Sequence, residues 1–281
     1  MPPLFSSHPD ADAFAHALPT QMLGKTIHYF PQTDSTNTRL AELAKEVGAP
    51  HGMLVLADEQ NAGRGRRASI WTAPPERSLL FSFLWKPETG TLPAERWGWL
   101  ALLSGLATAE AVTKFSGLPA RVKWPNDIIV TSSGQPAWRK LGGILCESIL
   151  TGGPGGQTII GIGLNVLQAR HELPELAKAP PTSIFLECGI KHSRLELLAE
   201  ILRMMELRLN SLSSDEAFAR SRMELEISLK DWWLDRTLLL RDAGGDLRGR
   251  FTGLDEFGRL GLLLPDGEAR HLADGEILGL E

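Results

Sequence analysis

Three apolar runs constrain this chain most: Ile128 to Val130, Ile144 to Ile149 and Thr158 to Val166. Their connections are short and glycine-rich, as in Thr151-Gly-Gly-Pro-Gly-Gly156. A parallel strand pair needs a crossover of a dozen or more residues, usually a helix, whereas a short turn joins antiparallel neighbours. The runs therefore predict antiparallel hairpins. Met53 to Ala57 and Leu79 to Trp85 read as two further strands.

Helices are marked by a different period. Leu40, Leu43, Ala44 and Val47 recur at i, i+3, i+4, i+7 behind Asp34-Ser35-Thr36-Asn37, which offers cap chemistry, so a helix is predicted to start there. Trp97 to Val112 is apolar but broken by Gly98, Ser104, Gly105, Thr108 and Glu110. That is too short and too interrupted to span a bilayer, and it reads as a buried helix. Ser193 and Glu196 form a capping box ahead of Leu198, Ile201, Leu202, Met205 and Leu209, and another helix is expected from about Asp215 to Leu229. A loop holding Pro174, Pro180 and Pro181 precedes them.

After Trp232-Trp233 the texture changes. Short apolar stretches are cut by turns at Gly244-Gly245, Glu256-Phe-Gly258, Pro265-Asp-Gly267 and Asp274-Gly275, the pattern of a small barrel of about five strands. Three segments follow: an extension over 1–24 with little repeated pattern, a main domain over 25–234, and a barrel over 235–281. The fold class is α+β, with a largely antiparallel sheet in the main domain.

Bulk chemistry narrows the function. The chain has 281 residues and a net charge of −5, which argues against broad nucleic-acid or membrane binding. Its two cysteines, Cys146 and Cys188, have no metal-like spacing, and no apolar export signal opens the chain, so a reduced cytoplasmic setting is expected.

Against that acidity, cations collect in one stretch. Gly63-Arg64-Gly65-Arg66-Arg67 is either a solvated turn or a loop that wraps an anion with backbone N–H groups and guanidinium forks. It lacks the Gly-Lys-Ser/Thr of a Walker loop. Lys140, followed by Gly142 and Gly143, is either a flanking surface charge or an ammonium beside room for a ligand. Lys123-Trp124-Pro125-Asn126-Asp127 makes a tight turn, either structural or aimed at phosphates, with Asp127 the better Mg²⁺ ligand. In Gly161-Ile-Gly-Leu-Asn165, Asn165 either caps the strand turn or meets a ligand. Ser35, Thr36 and Asn37 are helix-cap residues that can also hydrogen-bond a polar head group, and Gln60 can do likewise.

These motifs stand in one order: DSTN, EQNAGRGRR with a following Trp71, KWPND, KLGGIL, GIGLN and a C-terminal barrel. From about residue 27 to the end, that order closely resembles biotin–protein ligase. The resemblance implies a class II synthetase-like catalytic fold followed by an SH3-like barrel. It implies ATP and Mg²⁺, a biotinyl-5′-AMP intermediate, and transfer to a lysine of a biotin carboxyl carrier protein. By resemblance, Ser35, Thr36, Asn37, Gln60, Arg64, Gly65, Arg66, Lys140, Gly142 and Gly143 line the biotin side. Arg64, Arg66, Arg67, Trp71, Lys123, Asn126, Asp127, Lys140 and Asn165 line the adenylate side, with Asp127 as the metal ligand. Lys140 and Arg66 are the expected catalytic residues, and Trp71 and Trp124 the apolar walls.

Closing the arginine loop over a hydrolysable acyl adenylate implies ordered binding, biotin before ATP. Residues 1–24 leave no room for the winged helix of relatives that also repress transcription, so no operator binding is expected, and the state expected is monomer or weak homodimer. Two departures stand out: relatives often carry an arginine near the barrel's end where this chain has Leu280, and Ala68-Ser69-Ile70 is less basic than in some relatives. A lipoate–protein ligase or lipoyl transferase shares the fold and is the nearest alternative. An RNA- or anion-binding module using the Arg-Gly loop is the alternative of a different class.

Overall fold

The computed structural model describes residues 4–5, 8–87, 92–131, 138–149, 156–175, 179–233 and 236–281. The glycine-rich connection over 151–155 and the division expected near 235 lie outside them. In chain order the main part runs α1 (His8–Ala17), β1 (Ile27–Thr33), α2 (Thr36–Leu43), β2 (Leu54–Gln60), β3 (Ser78–Trp85), α3 (Trp99–Ser116), β4 (Ala120–Lys123), β5 (Asp127–Thr131), β6 (Trp138–Ile149), β7 (Gln157–Asn165), α4 (Ile184–Cys188), α5 (Arg194–Asn210) and α6 (Asp215–Trp233).

Its seven strands form one sheet in the order β1-β2-β3-β7-β6-β5-β4. Only β1 and β2 pair in parallel, joined across α2; every other neighbour is antiparallel, including the β5-β6-β7 run that the short connections predict. Every residue of β3 is buried, because both faces of the sheet's centre are covered. On one face α3 packs against α5 and β4. This helix is buried along most of its length and stops at Gly117, whose left-handed φ of 76° lets its N–H return to Thr113 O. On the other face α2 seats Leu40 against Val55, Leu84 and Ile159.

Several expectations are corrected. The helix behind DSTN ends at Leu43, and Val47 is fully exposed rather than on its apolar face. Helix α6 runs four residues past Leu229 and so carries Trp232 and Trp233 into the core. Residues 1–24 contain a helix after all, with Ala11, Phe14 and Ala15 on its inward face and Leu18, just past its end, continuing the i, i+3, i+4, i+7 spacing. Strand β1 goes unpredicted because Pro31 interrupts it; β1 lies at the sheet edge, where a missing N–H is tolerated.

One ionic cluster is sealed beneath the sheet. Asp58 on β2 accepts from Arg194 Nη1 (2.7 Å), Tyr29 Oη (2.5 Å) and Leu4 N (3.0 Å). Arg194 and Asp58 side chains are each only 4% exposed, so the carboxylate's bonding replaces lost water.

The barrel comprises β8 (Thr237–Asp242), β9 (Gly245–Leu254), β10 (Leu260–Leu263), β11 (Ala269–Leu272) and β12 (Glu276–Leu280), ordered β11-β10-β9-β8-β12 and antiparallel throughout. Each turn named from the sequence falls between two of these strands. An edge-on aromatic run, Phe251 on Trp233 and Trp232 on Trp138, links β9 through α6 to β6.

Candidate active site

A cavity of about 630 Å³ opens where β6, β7, the arginine loop, the KWPND turn and the barrel meet. It is lined by Ser35, Thr36, Asn37, Gln60, Arg64, Gly65, Arg66, Arg67, Trp71, Lys123, Asn126, Asp127, Lys140, Gly143 and Asn165. Residues spread over 130 positions of sequence thus converge on one surface. Two named residues stand elsewhere. Gly142 does not line the cavity; a Cβ there would lie 2.6 Å from Gly163 O, so it serves the close approach of β6 to β7. Trp124 is buried at the base of the barrel, its indole donating to Gly258 O (3.2 Å), and is core rather than cleft wall.

One end of the cleft is polar and preset. Ser35 occupies the N-cap position of α2 but its hydroxyl makes no cap hydrogen bond. Gln60 Oε1 accepts from Thr36 N (2.7 Å) and Thr36 Oγ1 (3.1 Å). Asn37 donates to Glu147 Oε2 (2.7 Å), and its Oδ1 lies 2.6 Å from Ser82 Oγ. The amide can sit there only because Gly161 has no side chain: a Cβ would be 2.0 Å from Asn37 Oδ1. Gly163 similarly makes room for the Trp71 ring, which a Cβ would approach to 2.7 Å.

The arginine loop is closed on itself by Trp71 N to Gly63 O (2.9 Å) and Gly65 N to Ser69 O (2.7 Å). Arg67 and Ala68 take left-handed φ values of 53° and 58°, unusual for residues with a Cβ. Arg64 donates to Glu147 (2.7 Å), and Arg66 to Asn126 Oδ1 (3.0 Å).

The cationic floor rests on a strand irregularity. Ile128 and Ile129 are adjacent on β5, yet they pair with Gly142 and Lys140, so Leu141 is an extra residue in a β-bulge. The bulge turns Lys140 and Gly143 to the same face, with the Nζ only 3.7 Å from where a Gly143 Cβ would stand. The Lys140 backbone is bracketed by Pro180 O and Thr182 N (3.0 and 2.9 Å). That bracket is held by Glu187, which accepts from Thr182 Oγ1 (2.6 Å) and from Arg139 (2.6 Å).

Asp127 faces two ammonium groups: Lys140 Nζ on Oδ1 (2.5 Å) and Lys123 Nζ on Oδ2 (3.2 Å). Burial alone would raise its carboxyl; Lys140 and Lys123 outweigh burial and hold it below the ordinary carboxylate value. Each carboxylate oxygen of Asp127 thus already carries one ammonium contact. Among the described residues no group of three or more His, Cys, Asp or Glu side chains is disposed to hold a metal ion.

Asn165 lies against the cavity, yet its amide bonds are turned into the protein, donating to Thr182 O (3.0 Å) and accepting from Gln168 Nε2 (2.9 Å). Cys146 faces a smaller cavity of about 420 Å³ between sheet and barrel. Burial pushes its thiol up to about 12, with Arg66 opposing, so it is no thiolate nucleophile.

Three contributors were not expected. Glu147 ties Asn37 to Arg64. Pro174, Ala179 and Pro181 line the cleft beside Lys140, although the prolines read only as a loop. Gly275, Glu276 and Ile277 bring the barrel to the cleft. The dipeptide Asp274-Gly275 signals a turn, and nothing local signals what the turn meets.

Known proteins share much of this sequence and its fold. Residues 29–165 match the model of the biotin/lipoate A/B protein ligase family, and residues 236–278 that of the biotin protein ligase C terminal domain. The bifunctional ligase/repressor BirA of Escherichia coli is 33% identical, covering 92% of this chain and 75% of that protein. The biotin--[acetyl-CoA-carboxylase] ligase of Paracoccus denitrificans is 32% identical over 84% of this chain and 93% of its own length. Among solved structures, biotin protein ligase from Aquifex aeolicus in complex with biotin and ATP superposes with a TM-score of 0.71 at 28% identity, covering 92% of this chain and 99% of that one.

Proposed function

This chain belongs to the biotin protein ligase family, it is an ATP-dependent biotin protein ligase, and on that premise we propose how its residues divide the two half-reactions. The observation that carries the assignment is the convergence of Arg64, Arg66, Arg67, Lys123 and Lys140 on one cleft of a chain whose net charge is −5.

In the first half-reaction a biotin carboxylate oxygen attacks the α-phosphorus of ATP, a P–O bond forms, and pyrophosphate leaves. Both reactants are anions, so the barrier is lowered by positioning and by cancelling repulsion. Ser35, Thr36, Asn37 and Gln60 hold the biotin head in their preset pocket. Arg64, Gly65 and Arg66 follow the carboxylate and phosphate. Lys140 bridges them with the ammonium hydrogens that Asp127 does not take, and Asp127 also balances the charge of Lys123. Trp71, Arg67 and Asn126 face the nucleotide, and Asn165 supports the cleft wall from within. Mg²⁺ would accompany ATP and would supply neutralisation of phosphate charge beside Arg66 and Lys140.

In the second half-reaction the neutral ε-amine of a lysine on a biotin carboxyl carrier protein attacks the acyl carbon, an amide forms, AMP leaves, and the nitrogen sheds its extra proton. The division into a catalytic unit over 25–234 and a barrel over 235–281 is supported by the C-terminal match beginning at 236. No helix among the described residues is long and apolar enough to cross a membrane. We propose a cytoplasmic enzyme that acts as a monomer or weak homodimer.

Biotin-dependent ATP–pyrophosphate exchange tests this reading. Exchange with biotin and none with lipoate is the expected result. Exchange with lipoate alone would move the chain to the lipoate side of the family, and exchange with neither would reject the adenylation mechanism.

A further inference from the structure

We propose that Asp274, on the barrel turn between β11 and β12, is a positioning residue that ties the arginine loop to the barrel and so couples the C-terminal domain to adenylate formation. One carboxylate serves two neighbouring guanidinium groups. Its Oδ1 pairs with Arg66 Nη2, and its Oδ2 accepts from Arg67 Nε (3.0 Å) and Nη2 (2.8 Å). Adjacent arginines repel when they point the same way, and a shared anion removes that repulsion.

The geometry sets this contact apart from an ordinary surface ion pair, which contributes little. Arg66 is held from a second side by Asn126 of the KWPND turn, so its guanidinium is fixed at the cleft rather than swinging in solvent. Arg67 and Ala68 sit in a left-handed conformation that costs free energy and needs surrounding contacts to hold it, of which the Asp274 pair is one beside the loop's own hydrogen bonds. The anchoring turn is itself seated: a Cβ on Gly275 would stand 3.2 Å from the Trp124 ring. Meanwhile Arg64 is tied to Glu147 on β6. The loop is therefore anchored to the sheet at one end and to the barrel at the other, across the mouth of the cleft.

Without Asp274 the barrel end is released. Arg66 and Arg67 then have to be gathered by the incoming triphosphate, so ATP binds more weakly. The chemistry at Lys140 is untouched once ATP is bound. A loosened loop also admits water to the acyl adenylate. Asp274 touches neither substrate in this account; it acts through the two arginines. The kinetic consequence rests on the ligase reading, whereas the structural one does not.

The test compares the parent chain with Asp274→Asn, Asp274→Ala and Asp274→Glu. Expected for Asn and Ala is a rise in the KM for ATP in pyrophosphate exchange of roughly three- to tenfold, with kcat changed less than about twofold. Trypsin cleavage at Arg66 and Arg67 of the ligand-free chain should accelerate by a similar factor, and Glu should restore both toward the parent. Asn preserves the shape of the turn, so it decides the matter if Ala disturbs the barrel by near-ultraviolet circular dichroism. An unchanged KM and unchanged cleavage in Asp274→Asn would overturn the proposal, as would a Glu variant no better than Ala. A parent that shows no exchange counts against the ligase reading, and the cleavage comparison then decides the anchor by itself.

Discussion

Lys140 Nζ rests 2.5 Å from Asp127 Oδ1, and that single contact links catalysis to stability in this protein. The lysine proposed to bridge two anionic reactants is held, in the free cleft, by an acid that also neutralises Lys123. A cation prepared this way is oriented before substrate arrives, which is the condition for electrostatic catalysis without reorganisation.

Lys140→Ala is expected to lower biotin-dependent pyrophosphate exchange by about two to three orders of magnitude, the usual cost of removing a preorganised group at the reacting centre. The variant should stay folded, since the side chain is a quarter exposed. Exchange within tenfold of the parent would reject Lys140 as the bridge.

Asp127 makes a pH prediction whose sign follows from its depressed carboxyl. The unfolded chain takes up protons at the ordinary aspartate value of about 3.9, whereas the folded chain resists until lower pH. The unfolded state then binds more protons, so folding stability is fully present above the ordinary value and is lost as pH falls through the folded one. Glu187, depressed by Arg139 and Thr182 against its own burial, adds to the same trend. Asp127→Asn should flatten the dependence of the urea midpoint on pH below about 5. It should also cost about 3 kcal/mol at neutral pH, since Lys123 is left buried without its counter-ion.

Gly161→Ala should damage biotin binding more than folding. The added methyl would displace the Asn37 amide from its notch. The measurable outcome is a raised KM for biotin with an ATP KM near the parent's. Equal effects on both substrates would place Asn37 away from the biotin end.

Arg194→Met tests the sealed cluster. It leaves Asp58 with Tyr29 and Leu4 but without its cation, in a site where water cannot compensate. Breaking a buried pair from one side costs about 3–5 kcal/mol. A urea midpoint unchanged from the parent would show that the carboxylate is satisfied without Arg194.

Much of the site was readable because its chemistry is written in contiguous motifs. Arg64, Arg66, Lys123 and Lys140 stand out as cations beside glycines in an acidic chain, and the barrel's turns announce its five strands. What escaped was structure whose signal is weak or split. The helix over 8–17 uses alanines for half its inward face, and β1 contains a proline. Asp127 reads from the sequence as a carboxylate near a phosphate site; that Lys140 and Lys123 both face it is a matter of how β4, β5 and β6 pair.

The sequence by itself determined the order of the motifs, the antiparallel meander, the barrel and the collection of cations that names the chemistry. Those depend on local periodicity and residue type, which a linear string carries in full. Only the tertiary structure decided that a bulge at Leu141 turns Lys140 and Gly143 to one face, that Asn37 reaches Glu147, and that Asp274 holds Arg67 from the far end of the chain. Each is a pairing between segments far apart in sequence or a break in strand register. Such contacts are set by how whole elements pack, and no short window of residues contains that information.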